Sequence, residues 1–147
     1  MEPADSENPL GGPDEMLARL KRSVTASGFS AFLAMEPLRC WSGESELVVE
    51  LTPQLTQHHG FAHGAVVGAA ADNACAWAAA SVAGDVLTSS YTIHLVASAK
   101  GERLRAKGFV LGSGRRQATV RADVFAETGS ESRLVATALA SISKAGR

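Results

Sequence analysis

From about His63 to Ser81 the chain is built almost entirely of alanine, valine, glycine and other small or helix-favouring residues, and Gly84 stands where a C-terminal stop would be. A helix of about five turns is expected. It would be apolar nearly all round, so it has to be buried on most sides, and Gly64, Gly68 and the alanines would let neighbouring backbone come close. Such a helix needs a sheet wrapped round it. One acid, Asp72, interrupts the run among Ala70, Ala71, Ala74 and Cys75. A carboxylate in that setting is either tilted out to water or held for chemistry, because a buried charge costs several kcal/mol unless it is paired or hydrogen-bonded.

The C-terminal half supplies candidate strands at Val86–Val96, Glu102–Leu111, Gln117–Ala126 and Ser132–Ser143, separated by glycine-bearing turns at residues 99–101, 112–115 and 128–130. Leu104, Ala106, Gly108 and Val110 alternate, as do Ala118, Val120, Ala122 and Val124, which predicts one buried and one solvated face. Before the central helix, Glu46–Leu51 reads as a strand ending before Pro53. Met16, Leu17 and Leu20 give helical spacing to a segment that starts near Pro13 and ends near Gly28. Phe29–Trp41 mixes aromatic and apolar residues around Pro37 without a clear period.

Residues 1–13 hold three prolines, two glycines and three acids, with neither the basic start nor the apolar run of a signal peptide. They are expected to form a flexible leader ahead of a single domain over residues 14–147. The Ala62–Ala83 stretch, interrupted by Asp72 and Asn73 and poor in Leu and Ile, makes a weak transmembrane candidate. With 14 basic and 15 acidic residues and no basic block, neither nucleic acid nor an anionic membrane is an expected partner. Cys40 and Cys75 form no CxxC pair and sit among apolar or aromatic neighbours, which suits reduced thiols in the cytoplasm.

The densest chemistry lies in Gln57-His58-His59-Gly60-Phe61-Ala62-His63-Gly64-Ala65, just before the helix. Gln57, Gly60, His63, Gly64 and Asp72, followed by Ser90 near Thr92-Ile93-His94-Leu95, resemble the hotdog-fold acyl-CoA thioesterases of the phenylacetic-acid-degradation type, which are similar to 4-hydroxybenzoyl-CoA thioesterases. The resemblance spans about residues 30 to 143. It implies an α+β hotdog fold: a long central helix wrapped by an antiparallel sheet, here with an additional N-terminal helix. It also implies a homodimer, or a dimer of dimers, whose active sites draw on both protomers. Asp72 then corresponds to the catalytic carboxylate, Gly64 to the backbone N–H that polarises the thioester carbonyl, and Gln57 to a positioning residue.

The chemistry agrees with those roles. Exposed N–H groups at a helix start stabilise a carbonyl oxygen that is gaining charge, by about 3 to 4 kcal/mol for a single donor in comparable sites. Asp72 lies about 12 Å from Gly64 by helical rise, too far to serve the same carbonyl within one protomer, so a partner chain has to bring them together. Asp72 could act as general base on water or as nucleophile. Ser90 could hold the water or the carboxylate, with Thr88 and Ser89 as rivals. His63 is expected to order the loop by donating from its ring to a backbone carbonyl. Gly60, His63 and Ala65 would border the substrate, with Ala65 standing where relatives commonly carry a second glycine. Arg115 and Arg116 either clamp the coenzyme A phosphates or form a solvated hairpin tip, and Lys100 and Arg103 share that ambiguity. No metal is expected from His58, His59 and His63, which lack the HExxH glutamate, and no cofactor beyond the coenzyme A of the substrate. A hotdog domain that binds acyl-CoA or another small ligand without turning it over is the alternative.

Overall fold

A computed structural model describes residues 10–146. The element order is α1 (Pro13–Ala26), α2 (Gly28–Phe32), β1 (Glu36–Trp41), β2 (Glu44–Glu50), a 3-10 turn at Pro53–Leu55, α3 (Gly64–Ala83), β3 (Val86–Leu95), β4 (Arg103–Ser113), β5 (Gln117–Thr128) and β6 (Glu131–Lys144). All strand pairings are antiparallel and run β1-β2-β4-β5-β6-β3 across one six-stranded sheet. The sheet curls around α3: this is the hotdog fold, with α1 added at the N-terminal side. Most of the expected leader, residues 1–9, lies outside the described residues. Leu10 packs on the core, and Pro13 already occupies the first turn of α1.

The expected alternation holds where the sheet grips the helix. Leu104, Ala106, Ala118, Val120, Ala122 and Val124 are all buried against α3, as are Ala136, Ala138, Ala140 and Ile142 of β6. The inner face is rich in alanine because the helix lies close against it. At Gly108 a Cβ would run into the Ala74 carbonyl oxygen, so only glycine fits there. That carbonyl accepts a hydrogen bond from the Ser45 hydroxyl at 2.5 Å, which ties β2 to the middle of α3. α3 is long and apolar enough to cross a bilayer, yet 67% of the relevant window is buried inside the fold, as a core helix requires.

Two elements form where the sequence shows no clear period. α2 is a single short helical segment, and β1 contains a bulge between Pro37 and Arg39 that breaks its two-residue repeat. On the outer surface of the sheet Arg105 bonds Glu46 at 2.6 Å and Glu127 at 2.9 Å, while Arg103 holds the other Glu127 oxygen at 2.9 Å. The Arg105 hydrogen bond holds the Glu127 carboxyl below its ordinary range.

Candidate active site

The loop entering α3 is fastened at several points. Gly60 N–H closes a turn onto the Gln57 carbonyl at 2.9 Å, and Gly60 at φ +81° supplies the left-handed residue after that turn, which lets the Gln57 N–H reach the Phe61 carbonyl at 2.8 Å. Ala62 N–H reaches the Ala99 carbonyl and His63 N–H the Leu55 carbonyl, each at 2.9 Å. The first turn of α3 is therefore held from two sides.

His63 is the N-cap, and its ring works in the opposite sense from the one expected. Nδ1 accepts from the Ala65 N–H at 3.0 Å instead of a ring N–H donating to a carbonyl. Val66 and Val67 N–H groups both bond the His63 carbonyl. Of the amides that open the helix, the Gly64 N–H is left without a partner among the described residues. It belongs to the positive end of the helix dipole, and Gly64 borders a pocket.

Gly64 lines a pocket of about 270 Å³ together with Gln57, Phe61, Val67, Leu95 and the Ala97-Ser98-Ala99 segment. The Gln57 side-chain oxygen accepts from the His59 N–H, so its amide NH₂ remains as the group available to a ligand. Ala65 is exposed and is not among the residues lining this pocket; its contribution is the N–H given to His63.

Asp72 is half-buried two turns further along α3. Its Oδ1 accepts a hydrogen bond from the Thr88 hydroxyl at 2.7 Å, which fixes the carboxylate and leaves Oδ2 free. The neighbouring Asn73 is satisfied separately, by the Ala69 carbonyl and by Ser30 of α2. Ser90 is not the hydroxyl bonded to Asp72. A bulge between Thr88 and Ser90 shifts the register, so that Ser90 opposes Ser141 on the outer face while Thr88 opposes the buried Ile142. Ser89 is bonded to Ser143. Inside, β3 meets a stripe of α3 at every fourth residue: Leu95 lies against Gly64, Tyr91 against Gly68 and Thr88 against Asp72.

Arg115 and Arg116 are exposed at the tip of the β4–β5 hairpin. Pairing of Gln117 and Leu87 with Ser143 sets that tip beside the start of β3, at the opposite end of α3 from the Gly64 pocket. Arg103 is committed to Glu127, whereas Lys100 is exposed next to the pocket-lining Ala99. Among the described residues no His, Cys, Asp or Glu cluster could hold a metal ion. Cys40 and Cys75 are free thiols; burial pushes Cys40 up to about 11, and burial, followed by the Asp72 charge, pushes Cys75 up to about 12.

Residues 59–132 match the family model described as the thioesterase superfamily. Among solved structures, a thioesterase family protein from Silicibacter pomeroyi is 28% identical and superposes with a TM-score of 0.82 over 87% of this chain and 96% of that one. A variant of the phenylacetic acid degradation protein PaaI from Thermus thermophilus is 27% identical, with a TM-score of 0.71 over 80% of this chain and 99% of that one. PaaI of the phenylacetic acid degradation operon of E. coli has the same fold at 17% identity, with a TM-score of 0.80 over 89% of this chain and 94% of that one. No curated protein matches the chain.

Proposed function

Because this chain belongs to the thioesterase superfamily, we propose that it hydrolyses an acyl-CoA thioester to the free acid and coenzyme A, at sites shared between two protomers. The observation that carries the proposal is the division of the chemistry along α3. The unpartnered Gly64 N–H and the Gln57 amide line one pocket, while the Asp72 carboxylate sits two turns away with one oxygen free. Pairing of two β3 edges would bring a second α3 alongside the first in the opposite direction, so that Asp72 of one protomer faces Gly64 of the other.

In that arrangement the thioester carbonyl oxygen points at the Gly64 N–H, with the Gln57 amide donating alongside it. Asp72 takes a proton from a water molecule whose oxygen attacks the carbonyl carbon. The tetrahedral intermediate collapses with cleavage of the C–S bond, and the proton passes to the leaving coenzyme A thiolate. Thr88 keeps the carboxylate oriented throughout. Lys100, beside the pocket, is the cation suited to a phosphate of coenzyme A. No metal or further cofactor enters the reaction. The buried, protonated thiols of Cys40 and Cys75 suit a reducing compartment, so the cytoplasm is the proposed location.

A complementation experiment tests both halves. Asp72→Asn removes the base. Gly64→Pro removes the N–H at the first helical position and sets ring carbons in its place, the Cβ in contact with Leu95; proline is tolerated there, and His63, at φ −61° and ψ 138°, already has the backbone a following proline demands. Each variant alone should release thiol at least about 10²-fold more slowly than the wild type, and a refolded mixture should regain a substantial part of the wild-type rate. A mixture that stays inactive although mixed dimers form would overturn the shared site. Absence of thiol release by the wild type would leave an acyl-CoA-binding domain.

A further inference from the structure

The stripe that carries Asp72 continues beyond it. Ala76 and Ala80 follow at the same four-residue spacing, and both line a cavity of about 520 Å³ beneath α1. α1 contributes Met16 and Leu20, and Leu10, Cys40, Trp77 and Val86 add to the apolar wall. Polar contributions come from Arg19, Ser23 and Asp85. Ala76 lies about 6 Å past Asp72, and the lining extends to Gly84, about 12 Å further along the helix axis.

The space is a groove open to solvent on one side, and its volume and mainly apolar lining suit a small-molecule site. The smaller pocket at Gly64 differs in kind: it is shorter and offers polar groups from Gln57 and Ser98. The Gly64 pocket lies at the start of α3 and the larger one along its last two turns; Ala76, the first α3 residue of the larger lining, follows Asp72 by four residues, about 6 Å of rise and about 40° of rotation. A thioester held between Asp72 of one protomer and Gly64 of its partner would have Ala76 and the cavity beyond it next along α3 for its acyl group.

Resting on the hydrolase reading above, we infer that the cavity beneath α1 receives the acyl chain of the substrate, and that the substrates are thioesters of elongated alkyl acids and not of compact aryl acids. A phenyl ring next to the carbonyl would leave most of the roughly 12 Å length empty, whereas a straight chain would run along Ala76 and Ala80 with Trp77 beside it. α1 thus serves as the wall that sets chain length.

The test is kcat/KM for acetyl- through dodecanoyl-CoA and phenylacetyl-CoA. The wild type is expected to gain roughly fourfold per added methylene until the cavity is full, the equivalent of ~0.8 kcal/mol per buried CH₂. Ala80→Phe should lower the octanoyl-to-acetyl ratio by about tenfold or more, since its ring takes the place of several methylenes. Leu20→Ala, which enlarges the cavity from the α1 side, should move the optimum to longer chains, and it carries the test if Ala80→Phe does not fold. In Trp41→Phe, Trp77 is the only tryptophan, and a non-hydrolysable dodecyl thioether of coenzyme A should change its emission where an ethyl thioether does not. A flat chain-length profile, an optimum at phenylacetyl-CoA, equal losses on all substrates in Ala80→Phe, or a silent Trp77 would each overturn the inference. If the wild type turned over no acyl-CoA, the hydrolase reading would fall, and the Trp77 response to the dodecyl thioether would still decide whether the cavity takes alkyl chains.

Discussion

The two edges of the sheet differ in a way that bears on assembly. β1 is six residues long, carries Pro37 and a bulge, packs beside α1, and displays the Arg39–Glu44 ion pair at 2.7 Å. These are the devices that blunt an edge against further pairing. β3 is ten residues long, contains no proline, lysine or arginine, and leaves Leu87, Tyr91 and Leu95 exposed by 68%, 43% and 58%. A long bare edge with apolar side chains is a liability unless a second chain covers it. One edge is finished and the other is shaped for pairing, and the Asp72 side of the candidate site lies under the second.

Tyr91→Lys is the harshest way to break this contrast. Tyr91 is exposed enough for a lysine to reach water in a lone protomer, but in a β3–β3 dimer the same lysine would be an inward-pointing charge. The variant should run as a monomer by light scattering and lose turnover with it. Asp72→Asn separates chemistry from assembly: kcat should fall by about 10² to 10⁴, the range for loss of a positioned acid–base group, while the molecular mass stays that of the wild type. His63→Ala, which removes the α3 cap next to the open edge, should lower unfolding free energy by about 1 kcal/mol in denaturant titrations. Arg39→Ala on the finished edge should change it by less than about 1 kcal/mol, as exposed ion pairs do, and should leave the mass unchanged.

A pH series adds a probe on the outer surface of the sheet, between its two edges. The folded-state value of Glu127 is depressed, chiefly by the Arg105 hydrogen bond, so its contribution is complete above the ordinary glutamate value of 4.5 and is lost as pH falls through the lower folded value. Thermal melts of the wild type should therefore decline below about pH 4.5, and Glu127→Gln should flatten part of that decline.

Local pattern made much of this legible. The all-round apolar run with Gly84 behind it determined α3 within two residues at either end, and the alternation in 104–110 and 118–124 gave the buried faces of β4 and β5. What stayed hidden depends on events remote in sequence. α2 and β1 were obscured because Pro37 and the bulge destroy the two-residue period. Nothing in Thr88-Ser89-Ser90 announces which hydroxyl meets Asp72, since the bulge that turns Ser90 outward is a property of pairing with β6. The direction of the His63 bond follows from where the Ala65 amide points, and the space beside Trp77 exists only once α1 has packed against β1.

Gly64, Gly68, Asp72, Ala76 and Ala80 form a row of four-residue steps that winds about 40° round α3 at each step, and this limits how the protein can vary. Their angular alignment is rigid, because a single inserted or deleted residue within α3 would rotate everything beyond it by about 100°. The carboxylate would swing away from Thr88, and the two alanines would leave the space under α1. Length changes in α3 should therefore be forbidden, while exchanges of one side chain for another at positions 76 and 80 remain open. The helix behaves as a ruler with fixed graduations: what can be adjusted is the bulk at each mark and never the interval between marks.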